Sequence, residues 1–348
     1  MDEPADPARR RRKRGARFAE IAAEAGVSPA TVDRVLNERD SVADATRRKV
    51  LAAAVRLRVP RLLPQPEHAL VHLDIILPRN ETPFFRKLAA ALHDGASMLD
   101  RWVIVHRRTL PQDDVRALAA AVGGGAHRRA GFILAAPDLP ELRAAVQAAC
   151  ARGERGVAVV TELPGLSGIS YVGIDNRRAG AAAGDLMGRM TPRPGRVLGL
   201  GSSALFLAHR ERHAGFAGAL AAFAHLSYEL IDAETQDEAE RCFRATRRAL
   251  AADGPPVVGI YHSGAGSAGI RDALRQHGGP RPSWIGHEIS EEHVVLLRSG
   301  EMDVAIDQDP AGQAIAALQT LLHAVGVTDR APSRPRAELR IHTRFSLP

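Results

Sequence analysis

Three residues near the start of the chain, Ser28, Thr31 and Arg34, carry hydrogen-bonding side chains. They lie in or beside a short predicted helix whose inner face is formed by Val32, Val35 and Leu36. A hydroxyl can donate a hydrogen bond to a phosphate oxygen, and an arginine can donate two to the edge of a guanine base. We therefore predict that Thr31 and Arg34 contact bases and that Ser28 contacts the phosphate backbone.

Two short helices joined by a glycine turn must position these side chains. Apolar residues between 18 and 25 recur at three- and four-residue spacing and give the first helix one apolar face. Gly26 suits the left-handed residue that ends a helix, and Ser28 followed by Pro29 suits the start of the next helix. This arrangement, a helix-turn-helix, presents its second helix to the major groove of DNA. Within residues 17–37, the predicted DNA contacts are Ser28, Pro29, Ala30, Thr31, Asp33, Arg34 and Asn37.

Positive charge is concentrated beside these helices. Residues 1–66 contain 15 Lys/Arg and 9 Asp/Glu, which leaves 32 and 31 for the rest of the chain. Positions 9–14 are all basic and could follow phosphates or reach a minor groove, so Arg12 and Arg14 are also predicted contacts. A third, partly basic helix is expected over residues 44–58. This distribution favours one DNA-binding module over the alternative, an ordinary helical hairpin beside a solvated basic tail.

Composition limits the class of protein further. A length of 348 residues with 45% hydrophobic content suits one small and one larger domain. Because no run of 18 apolar residues occurs and no apolar stretch follows the basic start, we expect a cytoplasmic protein without membrane contact. Cys150 and Cys242 lack metal-ligand spacing and are expected to be reduced and structural. Neither a metal nor a cofactor is predicted.

Beyond a proline-rich segment, short apolar runs alternate with longer amphipathic ones. Such alternation predicts parallel sheets with helices on both faces, and the length suits two doubly wound lobes. The predicted strands are 70–77, 102–106, 131–135, 157–161, 171–174, 196–200, 257–261, 284–287 and 304–307, and the predicted helices include 84–99, 139–150, 179–190, 212–223 and 238–251. The resulting organisation is a basic arm at 1–16, an all-α helix-turn-helix domain at 17–58, a hinge or linker at 59–68 and an α/β core at 69–348.

One longer motif covers the helix-turn-helix, as Ile21-Ala22-x-x-Ala25-Gly26-Val27-Ser28-x-x-Thr31-Val32-x-Arg34-Val35-Leu36-Asn37. This motif closely resembles the signature of the LacI/GalR family of bacterial transcriptional regulators. The core also resembles the effector-binding core of that family, which is similar to periplasmic sugar-binding proteins of the ribose type. The motifs that carry this second resemblance are Pro83-Phe84-Phe85, Asp175-Asn176 with Ala179-Gly180, Arg210-Glu211-Arg212-His213-Ala214-Gly215-Phe216, Gly286-His287-Glu288 and Asp307-Gln308-Asp309-Pro310.

The resemblance implies a ligand cleft between two lobes that the chain crosses three times. Lobe 1 is expected at about 69–191 and 309–326, and lobe 2 at about 195–307 and 328–348. Sugar recognition combines apolar faces with planar polar groups. The effector-binding residues that the resemblance implies are Phe84 and Phe85 as an apolar wall, Arg212 as a donor to hydroxyls or a carboxylate, Glu288 and Glu162 as acceptors, Gln308 reaching in from a crossing strand, Asp175 and Ser263.

Several of these residues could instead have a purely structural role. One of Phe84 and Phe85 could belong to the core, Arg212 could form a surface ion pair, and Asp175 could be only a helix N-cap. Ser263 stands where sugar-binding relatives often have asparagine, so a different hydroxyl pattern is expected. The proline-rich residues 61–66 leave little room for the family's short hinge helix, although Leu62 or Leu63 could still wedge into a minor groove.

The resemblance implies a homodimeric regulator, expected to be a repressor and not an enzyme. It would bind a pseudo-palindromic double-stranded operator under the control of a sugar, a polyol or a sugar acid. A solute-binding protein is one alternative, but it would need an export signal and no helix-turn-helix. A doubly wound enzyme is the other, since the glycines of 264–269 mimic a dinucleotide fingerprint. However, Pro280–Ser283 occupy the region where that fingerprint requires an acid.

Overall fold

The computed structural model describes residues 18–36, 42–57, 70–125, 127–232, 235–332 and 337–347. The chain divides into two compact units, with the boundary between Leu70 and Val71. The predicted contacts Arg12, Arg14 and Asn37, the basic arm and the linker lie outside the described residues. Among the helices of the described residues, none has the length and apolar character needed to cross a membrane.

The first unit is a small helical headpiece. Helix α1 covers residues 18–25, α2 covers Pro29–Leu36 and α3 covers Asp44–Arg56. Ile21, Val35 and Val50, one from each helix, are fully buried in a shared apolar core. Gly26 has a φ of +67°, the left-handed conformation that the sequence predicts at this turn. The helix-turn-helix is therefore confirmed, and α3 ends two residues before its predicted end.

Lobe 1 of the second unit is built on a five-stranded parallel sheet with the order β2-β1-β3-β4-β5. Its helices α4 and α12 pack together on one face, and α5 and α6 pack together on the other. Its elements are β1 (Val71–Arg79), α4 (Pro83–Ser97), β2 (Val103–Pro111), α5 (Val115–Gly123), β3 (Gly131–Leu134), α6 (Pro140–Ala151), β4 (Arg155–Val159), β5 (Ile169–Val172) and α12 (Pro310–Ala324).

Lobe 2 is built on a six-stranded sheet with the order β11-β10-β9-β8-β6-β7, in which only β11 is antiparallel. Its elements are α7 (Asn176–Met190), β6 (Gly195–Leu200), α8 (Leu207–Leu220), β7 (Leu226–Asp232), α9 (Ala239–Ala251), β8 (Val257–His262), α10 (Ser267–His277), β9 (Ser283–His287), α11 (Glu291–Ser299), β10 (Val304–Asp307) and β11 (Arg340–His342). These two parallel-dominated sheets confirm the predicted α/β core.

The chain passes between the lobes at residues 173–175, between β10 and α12, and again after α12. The predicted range of lobe 1, 69–191, is wrong at its C-terminal boundary, because it includes α7, which belongs to lobe 2. Met187 of α7 is buried with Phe216 of α8 in the core of lobe 2. Glycines at the contact between α7 and α8 let the two backbones approach closely, which fixes α7 on lobe 2.

Candidate functional site

A cleft opens where the carboxyl ends of the strands in both sheets face each other, as expected for doubly wound folds. It encloses about 790 Å³, counting the solvent space at its open mouth. Lys87 of lobe 1 donates a 2.6 Å hydrogen bond to the carbonyl oxygen of Ile289 in lobe 2, so the lobes touch. Six predicted effector-binding residues line the cleft, namely Phe84, Phe85, Arg212, Ser263, Glu288 and Gln308.

The two phenylalanines at the start of α4 have different surroundings. Their rings meet edge to face, with centroids 5.4 Å apart. Phe84 is only 6% exposed and belongs to the apolar core of lobe 1, whereas Phe85 is half-buried and offers more surface to the cleft. Phe206, which sequence reasoning missed, adds a buried aromatic residue from lobe 2. The cleft therefore has aromatic surface from both lobes.

Arg212 on α8 is the most connected charged residue of the cleft, and it is only 3% exposed. Its Nε donates to Asn176 Oδ1 at 2.8 Å, and its Nη1 donates to the Ser263 carbonyl oxygen at 2.9 Å. Its Nη2 donates to Gln308 Oε1 at 2.5 Å. Asn176 follows the first crossing and Gln308 lies in the second. One guanidinium thus joins the residues at two crossings to the end of β8. The alternative of a surface ion pair is wrong, because Arg212 is buried and its partners are neutral oxygens.

The hydrogen-bond network extends from Gln308 to Glu288, because Gln308 Nε2 donates to Glu288 Oε1. Glu288 has a φ of +76°, a left-handed conformation that costs free energy for a residue with a Cβ. Burial, reinforced by the negative charge of Asp307, raises the pKa of Glu288 to about 8. Near neutral pH this carboxyl group is therefore mostly protonated and can donate a hydrogen bond as well as accept one.

Five histidines lie on the lobe 2 side of the cleft, and His209, His287 and His293 line it. His209 Nδ1 and His213 Nε2 both form hydrogen bonds with Ser263 Oγ, at 3.0 and 2.9 Å. Burial, with the nearby Arg212 charge, lowers the pKa of His209 to about 3 and that of His213 to about 4. Burial also lowers the pKa of the other three. All five are therefore neutral near pH 7, and they are His209, His213, His262, His287 and His293.

The raised pKa of Glu288 predicts a pH-dependent stability. Between pH 4.5 and about 8 the folded chain holds a proton on Glu288 that the unfolded chain has lost. The stabilisation from this group is therefore complete below pH 4.5 and is lost as the pH rises through 8, by at most about 1.4 kcal/mol per pH unit. Glu288→Gln keeps the acceptor for Gln308 but removes the titration. In urea unfolding we expect the variant to gain stability relative to the wild type between about pH 5 and 8, and a constant difference would contradict this account.

Two predicted effector residues, Glu162 and Asp175, do not line the cleft. Glu162 is exposed, and Asp175 is the N-cap of α7, where its carboxylate accepts from the backbone amide of Arg178 at 2.9 Å. The cleft also contains polar residues that sequence reasoning missed. Asn80 and Gln112 directly follow β1 and β2, which was the available signal for these two. The others lie in loops or in the first turns of helices, and they include Ser202, His209, Asp237, Ser267 and His293.

The glycine-rich loop before α10 differs from a dinucleotide-binding loop in its chemistry. Asp237 Oδ1 accepts a hydrogen bond from the backbone amide of Ala265 at 2.7 Å. A side chain at Gly264 would lie 2.6 Å from the same oxygen, so the carboxylate fills the space above this loop. A phosphate placed there would meet a negative charge and an amide that is already used. The loop is better suited to hydroxyl ligands.

The headpiece carries a second candidate surface on α2. Ser28 Oγ accepts a hydrogen bond from the Thr31 amide at 3.1 Å, and the Ser28 carbonyl oxygen accepts one from the Val32 amide. These two bonds confirm Ser28 as the N-cap of α2. Pro29, Ala30 and Arg34 are exposed, while Thr31 and Asp33 are half-buried. The predicted DNA contacts Pro29, Ala30 and Arg34 are therefore accessible to solvent on α2.

An exposed ion pair joins Glu24 of α1 to Arg56 of α3 within the headpiece. Glu24 Oε1 accepts a 2.8 Å hydrogen bond from Arg56 Nε, and the two side chains are about half exposed. Such a pair contributes little stability by itself. The buried contacts of the three helices, not this ion pair, therefore keep the start of α2 in position.

Comparison with known sequences supports a division into two parts. Residues 73–326 match the family described as "Periplasmic binding protein domain", and residues 18–58 match "Bacterial regulatory proteins, lacI family". Over 76 residues the chain is 47% identical to the HTH-type transcriptional regulator MalR of Streptomyces coelicolor and 41% identical to reg1 of Streptomyces lividans. These alignments cover 22% of this chain and 22% of each relative, so they span about a fifth of the relatives' length.

Solved structures resemble the two-lobed unit. GanP, a glucose-galactose binding protein from Geobacillus stearothermophilus, matches with a TM-score of 0.71 at 18% identity, over 81% of this chain and 100% of that chain. A solute-binding protein from Burkholderia graminis, solved with D-arabinose, matches with a TM-score of 0.71 at 17% identity, over 80% and 96%. At these identities the likeness shows the fold of the core.

Proposed function

We propose that this chain, which belongs to the periplasmic binding protein domain family and carries a lacI-family domain at residues 18–58, is a ligand-controlled DNA-binding transcriptional regulator. The observation that carries the proposal is the presence in one chain of a helix-turn-helix and a two-lobed cleft. A solute-binding protein would need the cleft alone. We further propose that the protein is a homodimeric repressor that acts in the cytoplasm, where its DNA lies.

The DNA-binding role follows from the exposed start of α2. In a helix-turn-helix the first residues of the second helix meet base edges, and Arg34 is exposed on that helix. An arginine that donates two bonds to a guanine discriminates among bases, whereas Ser28 near the N-terminus suits a phosphate oxygen. A dimer would place two such helices in successive major grooves, so the operator is expected to be pseudo-palindromic.

The ligand role follows from the chemistry of the cleft. Aromatic surface from both lobes suits the C–H faces of a sugar ring, and the neutral polar groups suit its hydroxyls. Three of the five N–H donors of Arg212 are used within the protein, and Glu288 adds no full negative charge near pH 7. GanP is a glucose-galactose binding protein, and the Burkholderia graminis protein was solved with D-arabinose. We therefore favour a neutral monosaccharide or polyol over a sugar acid.

A thermal-shift screen tests the ligand proposal. The full chain is heated with D-arabinose, D-allose, D-glucose, D-galactose, polyols and sugar acids, because a ligand that binds only the folded state raises the midpoint of unfolding. We expect at least one neutral sugar or polyol to stabilise the chain. Stabilisation by sugar acids alone would contradict the preference for a neutral ligand, and a nicotinamide cofactor in the same plate tests the enzyme alternative.

Replacing Arg34 by alanine tests the DNA-binding proposal. We expect the variant to lose about 1–3 kcal/mol of binding at its operator while it keeps the salt-sensitive binding to random DNA. A mobility-shift titration that compares the chain's own promoter region with random DNA measures both. Arg189→Ala is the matched control, because it removes one positive charge from an exposed ion pair on α7. Equal weakening on every sequence would instead identify Arg34 as a phosphate contact.

A further inference from the structure

Three histidines meet on lobe 1, away from the cleft. His72 lies on β1, His106 on β2, and His127 on the connection between α5 and β3. His72 Nδ1 and His106 Nε2 are 2.9 Å apart, and the rings of His106 and His127 are stacked with centroids 3.8 Å apart. One ring nitrogen from each residue lies within 4.8 Å of those of the other two. Asn80 and Gln112, which line the cleft, follow the carboxyl ends of β1 and β2, so His72 and His106 lie farther back along the same strands.

A buried carboxylate orients one of these rings. Asp74, two residues after His72 on β1, is fully buried, and its Oδ1 lies 3.0 Å from His127 Nε2. When His127 Nε2 donates this hydrogen bond, the lone pair of the neutral ring is on Nδ1. Metal-binding histidines commonly donate their second nitrogen to a carboxylate in this way, which fixes the tautomer and the ring orientation.

A network of ion pairs lies beside the cluster. Arg129 donates to Asp74 Oδ2 at 2.8 Å and to Glu154 Oε2 at 2.6 Å, and Glu154 also pairs with Arg152 at 2.7 Å. Arg108 lies 4.0 Å from the same Asp74 oxygen and is partly exposed. A neutral imidazole with a free lone pair is the form that binds a metal ion.

The cluster is accessible from solvent. All three histidines are half-buried, and His106 and His127 border an open depression on the surface together with Arg107, Arg108 and Thr109. An ion could therefore reach the three nitrogens without unfolding of the lobe. Among the described residues, this is the one group of three or more histidine, cysteine or acidic side chains with metal-ligand spacing.

We propose that His72, His106 and His127 form a binding site for a divalent transition-metal ion of the zinc type. Imidazole nitrogens suit Zn²⁺, and three protein ligands leave further coordination positions for water. In the bound state the ion would replace the hydrogen bond between His72 and His106. It would join two neighbouring strands to the loop before β3, and because β2 is the edge strand of its sheet, the ion would stabilise that edge. This inference does not depend on the proposed function.

Titration of Zn²⁺ into the full, chelator-treated chain tests the proposal by calorimetry. We expect one ion per chain with a Kd of about 10 µM or tighter. Each of His72→Gln, His106→Gln and His127→Gln is expected to weaken binding by at least about tenfold, whereas His93→Gln, an exposed residue on α4, leaves it unchanged. Absence of saturable binding by the wild type, or a loss below tenfold in any cluster variant, would overturn the proposal.

Cobalt gives a measurement that needs no variant. Co²⁺ added to the wild-type chain is expected to show the strong visible absorption of a four- or five-coordinate ion with nitrogen ligands. Zn²⁺ is expected to remove that absorption by displacing the cobalt. A spectrum that stays that of the hydrated ion would overturn the proposal even if a glutamine variant failed to fold.

Discussion

Replacing Arg212 by alanine is expected to weaken sugar binding by at least roughly 100-fold and to destabilise the core by about 3–5 kcal/mol. The guanidinium donates to Asn176 directly after the first crossing, to Ser263 at the end of β8 and to Gln308 in the second crossing. Alanine leaves these three acceptors without their donor in a buried place. Calorimetry with the sugar found by the screen measures the first effect, and urea unfolding measures the second.

Two further variants separate charge from geometry at this position. Arg212→Lys keeps the positive charge, but its single nitrogen cannot reach all three acceptors, which Arg212 contacts with Nε, Nη1 and Nη2 separately. We therefore expect most of the affinity to be lost. Arg210→Ala is the matched control, because Arg210 is exposed on the same helix and donates to the carbonyl oxygen of Ala204. If Arg212→Ala bound the sugar as tightly as Arg210→Ala does, Arg212 would be a structural residue only.

Replacing Gly180 by alanine is expected to destabilise the chain by about 3 kcal/mol and to weaken sugar binding at the same time. A Cβ on Gly180 would lie 1.9 Å from the carbonyl oxygen of Arg212, and this neighbour is backbone, so it cannot rotate away. Helix α8 would have to move away from α7. Because Arg212 is on α8, its hydrogen bonds to both crossings would be displaced.

Gly218→Ala is the matched control for this prediction. Gly218 is an exposed residue of the same pair of packed helices, and nothing lies within 4 Å of the position that its Cβ would take. Alanine favours a helix over glycine by up to about 1 kcal/mol, so this variant should be neutral or slightly more stable. Equal urea midpoints for the two variants would show that the close approach of α7 and α8 is unimportant.

The sequence predicts most of the fold because apolar runs report burial on both faces of a central strand. The nine predicted strands all occur, for example at Gly131–Leu134 and Val304–Asp307. Two strands were missed, β7 at Leu226–Asp232 and β11 at Arg340–His342. Both lie at an edge of the lobe 2 sheet and are partly exposed, so their polar residues conceal the strand pattern.

The site was predictable to a different degree at each position. The family motifs placed Arg212, Glu288 and Gln308 individually, but the sequence gives no distances across the crossings, so the bonded chain of these three was not foreseen. His209 and His213 were missed for a related reason. They lie four residues apart on α8, and only their folded positions show that they share the hydroxyl of Ser263.

Reciprocal binding measurements test most directly whether ligand binding in the cleft changes the affinity of the chain for DNA. The operator affinity is measured with and without a saturating concentration of the identified sugar, and the sugar affinity is measured with and without the operator. Thermodynamic linkage requires both affinities to change by the same factor, which we expect to be about 5- to 150-fold. If the sugar and the operator both bind but neither changes the affinity of the other, the chain is not a ligand-controlled regulator.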